Sequence, residues 1–294
     1  MSIMCQFFEV SHSGYYSYIQ RMDKPSRDEP LTKMIAECQE RCDRTYGCRR
    51  VLLWLQQKKH LNYNLKTVLR IMNKYDLLSE IRRRRKYRQM GEQLHKYENL
   101  LNRQFQAYGP RTVLLTDITF IPRYSHHEPK LKYTYVCIIM DAFTKEVLAC
   151  VCSTSYDTDF VLDTVNQLMG LHGSELKTDA LIHSDQGCQY TSTKFVMLLN
   201  DYSLRQSMSR RGNCWDNAPQ ESLFGHMKDE VRMNATDGHN QVERKVLDWV
   251  DYYNNERYQW RLAKLSPTEY YCYVTTGEYP LPVDYSGGTD GTRP

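Results

Sequence analysis

The 294-residue chain has no apolar run approaching the roughly 18 residues that a membrane-spanning helix needs, which argues against a transmembrane protein. Its opening, MSIMCQFFEV, lacks a basic start followed by a long apolar stretch, so no secretory signal is expected and the reading places the protein in the cytoplasm with no membrane partner. Ten cysteines, at 5, 38, 42, 48, 137, 150, 152, 188, 214 and 272, contain no CxxC pair. Without a second ligand pair at zinc-finger spacing, reduced and mostly buried thiols are expected. His126 and His127 are adjacent and, on an extended chain, point opposite ways; no chemistry is assigned to them.

Net charge is also small, +4 overall, but it is unevenly placed. Residues 1–110 hold 21 Lys or Arg against 11 Asp or Glu, leaving 18 against 24 for residues 111–294. The basic excess includes RRRRKYR at 82–88, a run suited either to a phosphate backbone or to a solvated linker. Around it the hydrophobic period is helical. YGCRRVLLWLQQKK at 46–59 places Val51, Leu52, Trp54 and Leu55 on one side, and LKTVLRIMNKYDLL at 65–78 repeats the pattern with Leu65, Val68, Leu69 and Met72. Asn64 is a candidate N-cap, and Lys66, Arg70 and Lys74 fall on the outer side of the second helix. Two such helices read as a helix-turn-helix or as an ordinary helical hairpin.

Past a basic linker at 80–110, the period changes to that of strands. VLLTDITFI (113–121), KYTYVCIIMDA (132–142) and EVLACVCS (146–153) predict an antiparallel unit; then come a helix from about 158 to 170, a buried strand at 180–184, a helix opening at Ser192, a short strand LRQSMS and a helix starting near Pro219. Three strands, helix, strand, helix, strand, helix is the order of an RNase H-like α/β fold with a mixed five-stranded sheet. Asp117 lies within the first strand, Asp185 just after the fourth and Glu221 in the first turns of the last helix, with 35 residues between the latter two. Carboxylates on two strand ends and one helix can converge, and hard divalent ions need only a few of them plus substrate phosphate oxygens. Among 35 acidic residues such a triplet has little weight by its spacing alone.

The text around each acid adds weight: TDITFI, HSDQGCQYTS and SMSRRGNCWDNAPQESLFGHMKDEV. These strings resemble the catalytic core of bacterial insertion-sequence transposases of the IS-three group, the downstream-frame OrfB product, relatives of retroviral integrases. The resemblance runs from about residue 5 to 270. It implies an all-α helix-turn-helix region at 1–79, an integrase core at 111–272, and a DDE triad of Asp117, Asp185 and Glu221 that binds two Mg²⁺ (or Mn²⁺) ions. The implied activity is cleavage of DNA ends and strand transfer. Implied partners are element terminal repeats and target DNA, a homo-oligomer on DNA, and an upstream-frame OrfA product or frameshift fusion. Lys228, on the same helical face as Glu221 and Gly225, is a candidate phosphate contact, as are Arg210, Arg211, Lys66 and Arg70. Asp141 is read as a structural neighbour and Glu230 as a competitor on another helical face. Asp216 and Asn217 are expected to cap the helix, and Trp215 to pack beneath its loop rather than stack on a base. Leu114 stands where many relatives have tryptophan, and residues 258–260 depart from the group's closing segment. From about 273 the tail is expected to be disordered. An RNase H-type nuclease and a transposase-derived regulator without activity remain as alternatives.

Overall fold

The computed structural model describes residues 5, 7, 8, 10–22, 26–80, 98–125, 128–210, 214–234 and 237–281. The 82–88 basic run, His126, His127, Arg211 and the tail beyond 281 lie outside the described residues. Contacts divide the chain into two units, Met1–Glu80 and Ile81–Pro294.

The first unit is helical: α1 (His12–Met22), α2 (Glu29–Arg41), α3 (Cys48–Lys59) and α4 (Leu65–Lys74). Leu31, Ile35 and Cys38 from α2 meet Val51, Leu53, Trp54 and Leu55 from α3 and Val68, Ile71 and Met72 from α4 in a buried core. The turn after α3 is made by His60 in the left-handed region (φ 55°), and Asn64 caps α4 as expected, accepting a bond from the Lys66 N–H at 2.8 Å. The faces are rotated slightly from those the sequence suggested. Leu53 and Ile71 go inward, while Leu52 is only half-buried and Leu69 is exposed. Gln39 ties the unit together by donating to the carbonyls of Tyr46 and Leu77.

The second unit is a five-stranded mixed sheet in the order β3-β2-β1-β4-β5, from β1 (Val113–Ser125), β2 (Glu128–Asp141), β3 (Val147–Ser153), β4 (Leu181–Ser184) and β5 (Arg205–Met208). β1, β2 and β3 pair antiparallel, while β4 runs parallel to both β1 and β5. Alternation assigns the faces. Val113, Leu115, Ile138 and Met140 pack under α7 (Ala218–Glu230) and α8 (His239–Asn255), whereas Leu114, Cys137, Ile139 and Ile182 pack under α5 (Asp159–His172) and α6 (Thr193–Asp201). Helices on both faces explain why the central strands read as almost continuous apolar runs. Ser192 caps α6 by accepting from the Phe195 N–H. A final helix, α9 (Pro267–Thr276), runs past 273, where disorder was expected, with a capping box at Ser266 and Glu269 and a left-handed Gly277 closing it.

Candidate active site

The parallel register of β1 and β4 pairs Val113 with Leu181, Leu114 with Ile182 and Leu115 with His183. Two residues further along each strand stand Asp117 and Asp185, so the register carries both carboxylates to the same level where β4 ends. Asp117 shares the face of Leu115, toward α7, and its Oδ1 accepts the Ile118 N–H at 2.8 Å. Asp185 begins a tight turn in which its Oδ1 accepts the Gly187 N–H at 2.9 Å. A Cβ at 187 would lie 2.9 Å from that oxygen, so a larger residue there would displace the Asp185 carboxylate.

The third acid is positioned by two amides just ahead of it. Asn217 Nδ2 donates to the Thr116 carbonyl at 3.4 Å, and Gln220 Nε2 donates to the Ile138 carbonyl at 3.2 Å. Thr116 precedes Asp117, and Ile138 is the cross-strand partner of Asp117. The start of α7 is thus stitched to the sheet around the first aspartate, while Leu223, Phe224 and Met227 bury the helix's inner side. Glu221 is left exposed, with Gly225 and Lys228 following on its face. A Cβ at Gly225 would meet nothing within 4 Å, so this face is open. Lys228 Nζ lies 5.1 Å from the ring centre of Phe120 and within the field of Asp117.

Burial, together with the charges of Asp185 and Glu221, pushes the Asp117 carboxyl up to about 7, against the lowering effect of its Ile118 bond and Lys228. Asp185, although exposed, is also shifted upward by desolvation. Among the described residues no three acidic, histidine or cysteine side chains form a ready-made metal cage. The donor set nevertheless fits a hard divalent cation. It is all oxygen, it is open to solvent, and its mutual repulsion is what an added positive charge would relieve.

Other acids nearby are fully occupied. Asp141 accepts from the N–H groups of Arg111 (3.0 Å) and Phe143 (2.9 Å) and from the Thr144 hydroxyl (3.1 Å), which makes it the structural neighbour expected. Glu230 receives both Nε and Nη2 of the buried Arg257 and the Trp249 indole N–H, on the face away from the candidate site. Asp216 does not cap α7, and neither does the Asn217 side chain. Fully buried, Asp216 gathers Arg210 through its backbone N–H, Nε and Nη2, Arg103 through Nε and Asn99 through Nδ2.

Set beside known proteins, the chain matches an HTH-like domain over residues 26–85 and integrase core domains over 107–214 and 202–267. It is 30% identical over 266 residues to the putative transposase InsK for insertion sequence element IS150 of Escherichia coli (strain K12), covering 89% of this chain and 90% of that one. The chain belongs to the insertion-sequence transposases. Transposase InsF for insertion sequence IS3A of the same organism is 26% identical over 281 residues, spanning 91% of this chain and 92% of its own length. Among solved structures, the HTLV-2 integrase catalytic core domain in complex with magnesium aligns with 56% of this chain and 99% of its own, at 13% identity and a TM-score of 0.42.

For this transposase the sequence-derived cations fare unevenly. Lys66 is exposed at the start of α4. Arg70, one turn on, is held by Asp28 through two bonds of 2.8 and 2.9 Å, and Lys74 joins the same carboxylate at 3.0 Å. Arg210 is likewise bound to Asp216. Trp215 does not pack beneath its loop: it is 67% exposed. Two roles escaped the sequence. Asp216 gave no signal, because its partners lie up to 117 residues away. His183, read only as shaping a turn, is buried between the Ser207 hydroxyl (2.9 Å) and the Ser209 hydroxyl (3.0 Å), and desolvation drives it down to about 4, so it is neutral. Because Ser207 Oγ accepts the Leu100 N–H, its own hydrogen is available for Nδ1, leaving Nε2–H to donate to Ser209. The pattern HSD before a loop and SMS on the next strand was the available clue.

Proposed function

We propose that this transposase cleaves DNA ends and joins them to a target through Asp117, Asp185 and Glu221, acting as a DDE triad that holds two divalent ions, Mg²⁺ or Mn²⁺. The observation that carries this reading is the β1–β4 register that levels Asp117 with Asp185, with Asn217 and Gln220 tying the helix of Glu221 to the same strands; the upward shift of Asp117 agrees with it. When bound, such ions supply positive charge against the attacking and leaving oxygens of an in-line displacement at phosphorus. In the first displacement a water oxygen bonds to phosphorus and the 3′ oxygen leaves as a hydroxyl. In the second, that 3′-hydroxyl bonds to a target phosphorus and displaces the target's own 3′ oxygen. No covalent enzyme intermediate is required.

The chain's residues orient rather than react. Asn217 and Gln220 hold Glu221 over the strand of Asp117, the Gly187 turn aims Asp185, and Lys228 is suited to neutralise a substrate phosphate on the open face of α7. Lys66 is a candidate DNA contact of the helical unit. Arg211 is a further candidate from sequence alone. Bringing two DNA ends together supports a multimer on DNA, with an upstream-frame partner or fusion contributing end recognition. The test is a cleavage and strand-transfer assay on terminal-repeat DNA with Mg²⁺ or Mn²⁺, comparing the wild type, fused to an upstream partner where one exists, with Asp185→Asn. Metal-dependent joined products that vanish in the variant support the triad. DNA binding without chemistry in the fused wild type favours a regulator that has lost activity, and cleavage of an RNA–DNA hybrid favours a nuclease.

A further inference from the structure

Beyond the acids, β1 and β2 continue as a long hairpin whose α5-side face is aromatic. Phe120 is paired with Tyr135 across the strands, and Pro122 with Tyr133, so alternation puts all three rings on one face. Their contacts make a row: Phe120 to Tyr133 at 5.3 Å edge-on, Tyr133 to Tyr135 at 6.4 Å, and Tyr135 to Tyr156 at 5.0 Å. The inner two rings are half-buried, while the end rings, Phe120 and Tyr156, are 55% and 52% exposed.

Both ends of the row touch the candidate active site. At one end the Lys228 ammonium lies over Phe120. At the other, Tyr156 sits in the field of Asp185 and Asp117, and its carbonyl accepts from Gln189, four residues past Asp185. One cation lies against the row, Lys228 over Phe120, while Arg123 and its cross-strand partner Lys132 alternate to the opposite face of the hairpin. A face of this kind, exposed rings with an ammonium at one end and the candidate carboxylates at the other, matches a polymer with flat apolar units on an anionic backbone. Ring spacings of 5.0 to 6.4 Å exceed the roughly 3.4 Å rise per nucleotide of a duplex strand. Bases lying on these rings would therefore have left their own stack.

We propose that the Phe120–Tyr133–Tyr135–Tyr156 row is a stacking surface for unpaired bases of the DNA strand whose phosphodiester is presented to Asp117 and Asp185. The inference deepens the DNA-joining reading and rests on it. Unstacking a base from a duplex is unfavourable, and stacking on an aromatic side chain offsets part of that cost. A frayed DNA end is thus the form this surface selects. Lys228 would meet a phosphate of that strand at the Phe120 end.

The experiment uses the full chain in metal-free buffer with two DNAs, a blunt duplex and the same duplex with its terminal nucleotides unpaired. 2-Aminopurine is placed in the unpaired stretch. Anisotropy should show tighter binding of the unpaired end by about tenfold, with quenched 2-aminopurine emission. Phe120→Leu and Tyr156→Leu keep apolar cover but remove a π-face, and each should lower that preference several-fold. Phe120→Tyr and Tyr156→Phe should retain it. Both rings are more than half exposed, so the leucine variants fold without a cavity, which the thermal midpoint checks. Equal binding of the two DNAs by the wild type, or leucine variants that keep the preference, overturns the proposal. So does a change in self-association by sedimentation with the preference intact, which would make the row an interface between copies of the chain. Mg²⁺-dependent cleavage of the same DNAs separates the two readings. Preference without cleavage keeps the stacking surface and removes the DDE chemistry, whereas cleavage without preference does the reverse.

Discussion

Two sets of carboxylates in one domain are treated in opposite ways by the fold. Asp216, Asp141 and Glu230 are buried and saturated: five bonds converge on Asp216 alone, and Glu230 holds Arg257, which is 1% exposed. Asp117 and Asp185 lie closer to solvent, yet burial and the neighbouring acids raise Asp117, desolvation raises Asp185, and each carboxylate accepts a backbone N–H. Asp216 is held well below the ordinary carboxylate range by Arg210 and Arg103 despite its burial, while Asp117 is pushed well above it. The difference separates acids that build the structure from acids whose raised energy suits the proposed cation site.

That contrast is broken most severely at the proposed catalytic acids. Asp185→Asn is expected to lower strand transfer by at least about 10³-fold, since it removes a carboxylate that would hold the ions offsetting developing phosphoryl charge, with no loss in thermal midpoint. A variant that keeps its joining activity would remove Asp185 from the chemistry. Glu230→Gln should do the opposite, leaving the site's residues intact but stranding the Arg257 guanidinium in the core. A loss of about 3–5 kcal/mol, read from the urea midpoint, is expected. A shift below about 1 kcal/mol would mean that the Tyr253 ring under the guanidinium holds Arg257 without the carboxylate.

The site contrast also sets a pH signature. A free aspartate loses its proton near 3.9, whereas Asp117 in the fold keeps it to about 7. The folded chain therefore binds more protons across that window, so stability contributed by protonated Asp117 is full below about 4 and is lost as pH rises through 7. The thermal midpoint of the metal-free chain should fall from pH 5 to pH 8 relative to Asp117→Asn, whose curve lacks this contribution. Added Mg²⁺ should raise the midpoint more at pH 8 than at pH 5.5, because cation and proton compete for one carboxyl. Parallel curves for wild type and variant would show that Asp117 is not shifted upward. At the lower end of the same range His183, neutral to about 4, opposes folding as acid protonates the unfolded histidine first, so its contribution falls below about pH 6.5.

Of the saturated acids, Asp141 and Glu230 stand where the sequence placed them and Asp216 does not, for a physical reason. Asp117 and Asp185 follow strand periodicity, and Glu221 follows Pro219 into a helix, so local pattern places each one. The sheet order then follows from helix and strand alternation. Asp216 could not be read this way, because its role depends on Arg103 and Asn99 arriving from the segment before β1. The same limit explains Arg70. Its place on the outer face of α4 was visible, but Asp28, 42 residues earlier, was not. Trp215 was misplaced because a lone tryptophan carries no period, and its exposure depends on the short helical turn at Cys214–Asn217.

A smaller effect is expected where a cation meets the open face of α7. Lys228→Ala should weaken DNA binding several-fold and reduce the slope of log affinity against log salt by about 1, the mark of one phosphate contact. An unchanged slope would leave Lys228 to Phe120 and Asp117 alone. Gly225 sharpens the reading: with nothing within 4 Å of its would-be Cβ, Gly225→Ala should stabilise the helix by up to about 1 kcal/mol. If DNA approaches between Glu221 and Lys228, that same methyl should weaken DNA binding while raising the thermal midpoint. Stabilisation with unchanged DNA affinity would show that the face stays open in the complex.

The smallest structural effect belongs to Trp215. With 67% of its surface exposed and no ring partner among the described residues, Trp215→Ala should change stability by less than about 0.5 kcal/mol. Its expected cost lies in DNA binding, because an indole left in water at the entry to α7 offers a stacking face, worth about 1–3 kcal/mol per base. Measured with Asp216→Asn, the pair distinguishes the two kinds of residue in this loop. Asp216→Asn should release Arg210 and Arg103 and loosen the loop, lowering both the midpoint and DNA binding. Trp215→Ala should lower DNA binding alone, and a loss of stability comparable to that of Asp216→Asn would return the indole to the packing role its sequence first suggested.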